Sequence, residues 1–180
     1  MINRRNLLAA TALLPTLCNA QSELPMASDF WNLPRELWLY RPQTKETVRA
    51  VYWYDGKLNV PGYDEICWIL RDVQSNTAVQ MNLALLDVLR GIRGCMNAEG
   101  MDTPLITNSG YRSPLTNQRT EGAARDSEHV KANAWDGRVT GVSTLKLARY
   151  GVYLAGGGVG FYQSRDFLHV DGGRKRQWRG

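Results

Sequence analysis

Two stretches, Ser127-Glu-His129-Val-Lys-Ala132-Asn-Ala134-Trp-Asp136 and Phe167-Leu-His169-Val-Asp171-Gly-Gly, decide how this chain is read. Between them they hold both of its histidines. His129 and Asp136 are seven apart with small residues between them, and His169 arrives 33 residues later on an apolar, strand-like run. Neighbouring strands lie about 4.8 Å apart, so a strand carrying Asp136 and another carrying His169 come within reach of one ion, with His129 in the loop before the first. Two imidazoles and a carboxylate give three ligands and leave a fourth tetrahedral position for water, as catalytic zinc needs. A hard ion such as magnesium asks for more carboxylates and fewer imidazoles. A lone histidine is usually a surface or core residue; the joint occurrence points to His129, Asp136 and His169 as the ligands of one Zn2+.

Working outward, the pattern is α+β: helices packed on one side of a small, mostly antiparallel sheet. Leu37–Tyr40 and Thr47–Tyr54 read as a first hairpin, with Asp55-Gly56 as the next turn. Tyr63 to Asp72 has helical spacing, and Val79, Leu83, Leu86 and Leu89 mark a longer helix that Gly91 and Gly94 are expected to end. Leu105–Ser109 reads as a short strand, Asn117–Arg125 as a helix, and Asn133–Val139 as the strand bearing Asp136. Ser143 is a plausible cap for a helix reaching Ala155. A last hairpin pairs Val159–Tyr162 with Phe167–Val170.

The pattern Ser-x-His-x-x-Gly-x-Ala-x-Asp followed by a late Phe-x-His-x-Asp-x-Gly resembles that of the D-Ala-D-Ala-metallopeptidase-like zinc enzymes of the M15 type. That superfamily takes in lysostaphin-type endopeptidases, D,D-carboxypeptidases and the hedgehog signalling domain. Within it the chain is most similar to the small periplasmic YcbK/MepK-like murein endopeptidases. Leu70-Arg71-Asp72, Ser109-Gly-Tyr-Arg112-Ser-Pro114, Gly157-Gly-Val-Gly-Phe-Tyr162 and Gly173-Arg-Lys-Arg-Gln-Trp178 carry further matches. The resemblance spans roughly residues 36 to 178 and implies a hedgehog/D,D-peptidase-like zinc peptidase fold. One position departs: Ala132 stands where the family has Gly, a change that tightens the turn between two ligands.

The chemistry implied by the resemblance is zinc-dependent hydrolysis of peptide cross-links in peptidoglycan, with stem peptides as the partner. A D,D- or L,D-carboxypeptidase is the nearest enzymatic alternative, and an inactive, metal-bound wall-binding module is the alternative from another class. In the carboxypeptidase relatives the general base is a Glu three residues before the last histidine; Asp166 stands at that position in this chain. Asp171, two residues after His169 and on the same strand face, is the rival base, or else the partner that orients a ligand imidazole. Arg112 sits in a turn after a strand, where a guanidinium holds a substrate carboxylate or steadies an oxyanion, or else makes a structural ion pair. The family places a substrate-binding arginine in this motif. Ser127, Tyr111 and Asn117 are candidates for the same pocket, while Arg71-Asp72 and Trp178 are expected to brace the fold.

Residues 1–20 read as an export signal: a paired Arg4-Arg5, an apolar run from Leu7 to Leu14, and small residues at Cys18-Asn-Ala20 before a cut at Gln21. The Arg-Arg-x-Leu-Leu start suggests twin-arginine export, with the general secretory route as the alternative. Lipidation at Cys18 is opposed by Leu17. Residues 21–35 form a loose lead-in and 36–180 the peptidase domain. The formal net charge of +5 falls to about +3 without Arg4 and Arg5. A mild positive excess suits an anionic polymer such as the cell wall. No helix carries the basic stripe of a nucleic-acid reader, and no stable membrane partner is expected. Cys67 and Cys95 are either a disulfide of an oxidising periplasm or two small buried hydrophobes.

Overall fold

The computed structural model describes residues 29–180. The export signal of 1–20, Cys18 and most of the lead-in lie outside the described residues.

Strands β1 (Arg35–Arg41) and β2 (Glu46–Tyr54) form the expected hairpin, and β3 (Lys57–Leu58) follows the Asp55-Gly56 turn. Helix α1 (Val60–Ile69) starts three residues earlier than its apolar spacing predicts, because Pro61 suits the first turn, where no amide hydrogen is needed. Helix α2 (Leu83–Ala98) is capped by Asn82, whose side-chain oxygen accepts from the Ala84 amide. It runs straight through Gly91 and Gly94, which do not end it. At Gly91 the missing side chain serves packing instead: a Cβ there would lie 2.5 Å from Leu154.

Strand β4 (Leu105–Ser109) leads to α3 (Pro114–Arg119), which begins three residues before the helix expected from the sequence. Ser113 caps it and Pro114 opens it, whereas residues 120–126 are non-helical, with Gly122 left-handed. Strand β5 (Ala134–Arg138) carries Asp136, α4 (Thr144–Leu154) is capped by Ser143 as expected, and β6 (Gly158–Tyr162) pairs with β7 (Phe167–Asp171). A further strand, β8 (Arg176–Arg179), pairs with β6.

The eight strands run in the order β3-β2-β1-β4-β5-β7-β6-β8. The sheet is mostly antiparallel, with β1–β4 and β6–β8 as parallel pairs. The register separates two faces. Leu39 pairs with Leu105, Thr107 with Gly137, Trp135 with Val170 and Val159 with Val170, so one face presents an unbroken buried row. Helices α1, α2 and α4 supply the rest of that core: Ile66, Leu85, Leu86, Leu89 and Leu147 are all essentially inaccessible. Each such side chain contributes roughly 1.5–3 kcal/mol by leaving water. The Trp135 indole donates to Thr107 Oγ1 at 3.0 Å, so the two side-chain polar atoms of this row satisfy each other. Asp136, His169, Gly160 and Trp178 share the opposite face, away from the helices. Cys67 and Cys95 are free thiols buried among these apolar side chains, which decides for the second of their two readings.

Candidate metal centre and its cleft

Asp136 lies directly opposite His169 across the β5–β7 pair, and Gly160 of β6 lies opposite His169 on its other side. Side chains facing each other across an antiparallel pair start with their Cβ atoms only about 4.5–5.5 Å apart, so the register alone joins two of the predicted ligands. His129 reaches them from a closed turn. The Val130 amide donates to the Ser127 carbonyl, Ala132 to His129 and Asn133 to Glu128. Ala132 makes the reversal with φ of +55°, the left-handed conformation that favours glycine. That is the physical content of the departure seen in the sequence. Ala132→Gly removes the strained Cβ but adds chain freedom to the unfolded state, so it is expected to change stability by less than about 1 kcal/mol. Ala132→Val forces a branched side chain into the same conformation and is expected to cost about 2–3 kcal/mol in denaturant unfolding.

The hydrogen bonds set which ring nitrogens face the centre. His129 Nδ1 lies 2.6 Å from the Gly110 carbonyl, which only accepts, so Nδ1 carries the proton and Nε2 is free. His169 Nε2 lies 2.9 Å from Asp171 Oδ2, which leaves Nδ1 as the nitrogen turned toward Asp136 and His129. His129 Nε2 and His169 Nδ1 face each other at 3.3 Å. Asp136 faces both, with Oδ1 2.7 Å from His169 Nδ1 and Oδ2 3.2 Å from His129 Nε2. The ligand atoms of His129, Asp136 and His169 therefore all lie within 4.8 Å of one another: a place for a cation. A tetrahedral ion with bonds of about 2.0–2.2 Å spaces its donors about 3.3–3.6 Å apart, close to two of these three separations. Burial disfavours the Asp136 carboxylate, but the charge and hydrogen bonds of the two histidines outweigh it and hold the group far below the usual range.

Asp171 is fully buried and saturated. Besides the His169 ring it accepts from the amides of Gly158 and Gly173, and Arg176 Nη2 lies 2.7 Å away. Such a carboxylate orients an imidazole and has no free face for a water molecule. Asp166 is not brought to the centre at all. It sits in a left-handed turn, accepts from Thr144 Oγ1 at 2.9 Å and faces Arg138 at 3.8 Å. Asp166 precedes β7, and the turn that holds it aims its carboxylate at Thr144, where α4 begins.

Arg112 donates to Asp136 Oδ2 at 3.1 Å and is largely buried. Its turn is braced as the sequence suggested for Arg71-Asp72. The Tyr111 amide donates to Leu70 O, Ser113 N donates to buried Asp72, and Arg71 pairs with Glu46. Gly110 is required in this turn, since a Cβ would lie 2.4 Å from the Leu70 carbonyl oxygen. Ser127 Oγ accepts from the His129 amide at 3.3 Å, so it shapes the ligand turn. Tyr111 packs against the core and Asn117 ties α3 to the Ala124 carbonyl.

The three ligands open onto a cleft of about 440 Å³ that neither Tyr111 nor Asn117 lines. Its floor holds His129, Asp136 and His169, with Arg112 and Ser127 beside them. The 120–128 segment adds Glu121, Asp126 and Glu128, and the C-terminal part adds Tyr162, Arg176 and Trp178. Sequence reading does not place Tyr162 or Arg176 at the site. The signals that could have found them are the even spacing of 176 and 178 and their place in matched motifs.

An α+β domain whose sheet carries a His–Asp–His donor set on the floor of an open cleft has the architecture of a small metallopeptidase. Over residues 31–178 the chain matches the family described as peptidoglycan L,D-endopeptidase MepK, and it belongs to that family. It is similar to the peptidoglycan L,D-endopeptidase MepK of Escherichia coli K12, 31% identical over 191 residues that cover 98% of this chain and 97% of the relative. The probable peptidoglycan L,D-endopeptidase MepK of Haemophilus influenzae is 32% identical over 117 residues, 63% of this chain and 62% of the relative.

Proposed function

We propose that this protein is an exported, zinc-dependent endopeptidase that hydrolyses L,D cross-links between peptidoglycan stem peptides. The observation that carries the reading is the convergence of three ligand groups, His129 Nε2, Asp136 and His169 Nδ1, on the floor of a cleft. Full-length similarity to peptidoglycan endopeptidases supports the substrate class. Residues 1–20 supply the export signal in this reading. Among the described residues no helix is long and apolar enough to cross a membrane.

His129, Asp136 and His169 hold one ion. Zinc bound there supplies a Lewis acid for the scissile carbonyl and lowers the pKa of water to about 7. The protein's own residues do the rest. Gly110 and Asp171 orient the two imidazoles, and Arg176 holds Asp171. Arg112 shares Asp136 and offers its remaining guanidinium hydrogens to a carboxylate of the stem peptide. Ser127 keeps the His129 turn closed at the cleft wall.

Purified protein on cross-linked peptidoglycan, with zinc and with chelator, tests this by mass spectrometry of the fragments. Zinc-dependent loss of L,D-linked dimers is the expected result. Release of single terminal residues would make it a carboxypeptidase, and intact muropeptides would make it a wall-binding module.

A further inference from the structure

We propose that Tyr162 is a catalytic residue, its hydroxyl donating a hydrogen bond to the scissile carbonyl oxygen as negative charge develops there. The inference rests on the hydrolase reading above. Tyr162 ends β6, two residues beyond the Gly160 that pairs with His169. Strand alternation therefore puts its ring on the His169 face, and it lines the same cleft as the three ligands.

The ring is held from several directions. It stacks on Phe167 with centroids 4.4 Å apart and planes 11° from parallel. The Arg165 guanidinium lies 4.6 Å from its centroid. Gly180 approaches so closely that a Cβ there would sit 2.1 Å from Tyr162 Cε1.

The hydroxyl is held as well. Trp178 Nε1 donates to it at 2.9 Å. An indole N–H only donates, so the tyrosine oxygen accepts and its own hydrogen stays available. Among the described residues that hydrogen meets no protein acceptor. Trp178 in turn packs on the ligand, with its ring centroid 5.2 Å from that of His169. The indole fits there only because Gly160 lacks a side chain, since a Cβ would lie 2.5 Å from the ring. One indole thus touches both the His169 imidazole and the Tyr162 hydroxyl, and fixes their spacing.

A rigid donor with an unused hydrogen, set beside the reacting centre before substrate arrives, is what a developing oxyanion needs. As the water oxygen bonds to the carbonyl carbon, the C=O π pair moves onto the carbonyl oxygen. Tyr162 keeps its proton and hydrogen-bonds to that oxygen. When the pair returns, the C–N bond breaks and the amine leaves with a proton derived from the water. Trp178 is a positioning residue in this scheme.

Tyr162→Phe and Trp178→Phe, each zinc-loaded, test the proposal on an L,D-linked muropeptide dimer and on a phosphinate analogue of that link. Tyr162→Phe is expected to lower kcat about 10²-fold with KM and bound zinc unchanged. Phosphinate affinity, measured by calorimetry, falls by a similar factor while product affinity holds. Trp178→Phe lowers kcat about tenfold, and the double variant is no worse than Tyr162→Phe. A Tyr162→Phe enzyme with kcat within twofold of wild type overturns the proposal, as does a loss confined to KM or explained by lost zinc. Failure of the parent reading looks different: the zinc-loaded wild type itself then leaves the dimer intact.

Discussion

His169→Ala is expected to abolish peptidoglycan hydrolysis, by about 10³-fold or more, and to remove stoichiometric zinc. Lewis-acid activation of water and carbonyl supplies several kcal/mol of transition-state stabilisation, and about 1.4 kcal/mol is a factor of ten in rate. His169 has the larger share of the centre's architecture. One ring nitrogen faces Asp136 at 2.7 Å and the other faces Asp171 at 2.9 Å. Removing the ring leaves two buried carboxylates without their shared partner, so the metal-free fold is expected to lose about 2–3 kcal/mol as well. Calorimetric zinc titration separates these effects: the wild type binds one ion, and the folded variant, checked by circular dichroism, binds none. Chelation of the wild type should reproduce the loss of activity, and added zinc should restore it. A folded His169→Ala protein that still cuts cross-links without zinc would dismantle the metal assignment.

Asp171→Asn is expected to weaken zinc binding and activity together, each by about 10–100-fold, the usual consequence of losing a partner that orients a ligand imidazole. The amide keeps the size of the carboxylate. It no longer accepts from His169 with full charge, and it leaves Arg176 without its 2.7 Å anionic partner. Asp166→Ala is the contrasting variant. Its carboxylate serves Thr144 at the start of α4 and is mostly exposed, so activity should stay within about twofold. Loss of activity in Asp166→Ala with zinc still bound would return the general-base role to that residue, against its place beside the start of α4.

The donor set was legible in the sequence for a definite reason. The chain has only two histidines, and strand alternation plus one antiparallel register carries Asp136 and His169 to each other without any long-range accident. That rule does not reach Asp166. Counting back from His169 along the motif gives the right residue number, but the strand begins only at Phe167, and the left-handed turn before it carries the carboxylate to Thr144. Asp171, at an even step, stays on the correct face. Gly91 and Gly94 look like a helix end because glycine lowers helix propensity, whereas the close approach of Leu154 from α4 decides in favour of continuation. That contact depends on tertiary packing and leaves no local trace. Strand β8 escapes notice in the sequence because four residues, mostly charged or polar, show no apolar alternation of their own. Its pairing comes from β6, and through Arg176 and Trp178 it completes surroundings that no short window of sequence contains.

The parallel pairing of β1 with β4 bears on how fast the chain folds. Leu39 pairs with Leu105 across a long stretch of chain that holds β2, β3, α1 and α2. The β1–β2 and β6–β7 hairpins form from local chain, but the seam that joins the two halves of the sheet requires closing a long loop first. Topologies dominated by such non-local pairings fold in milliseconds to seconds. During that interval β1 and β4 present open, apolar edges at Leu39 and Leu105. Crowding and temperature should therefore govern the yield of active protein through aggregation at this seam, independently of how well the finished centre holds its ion.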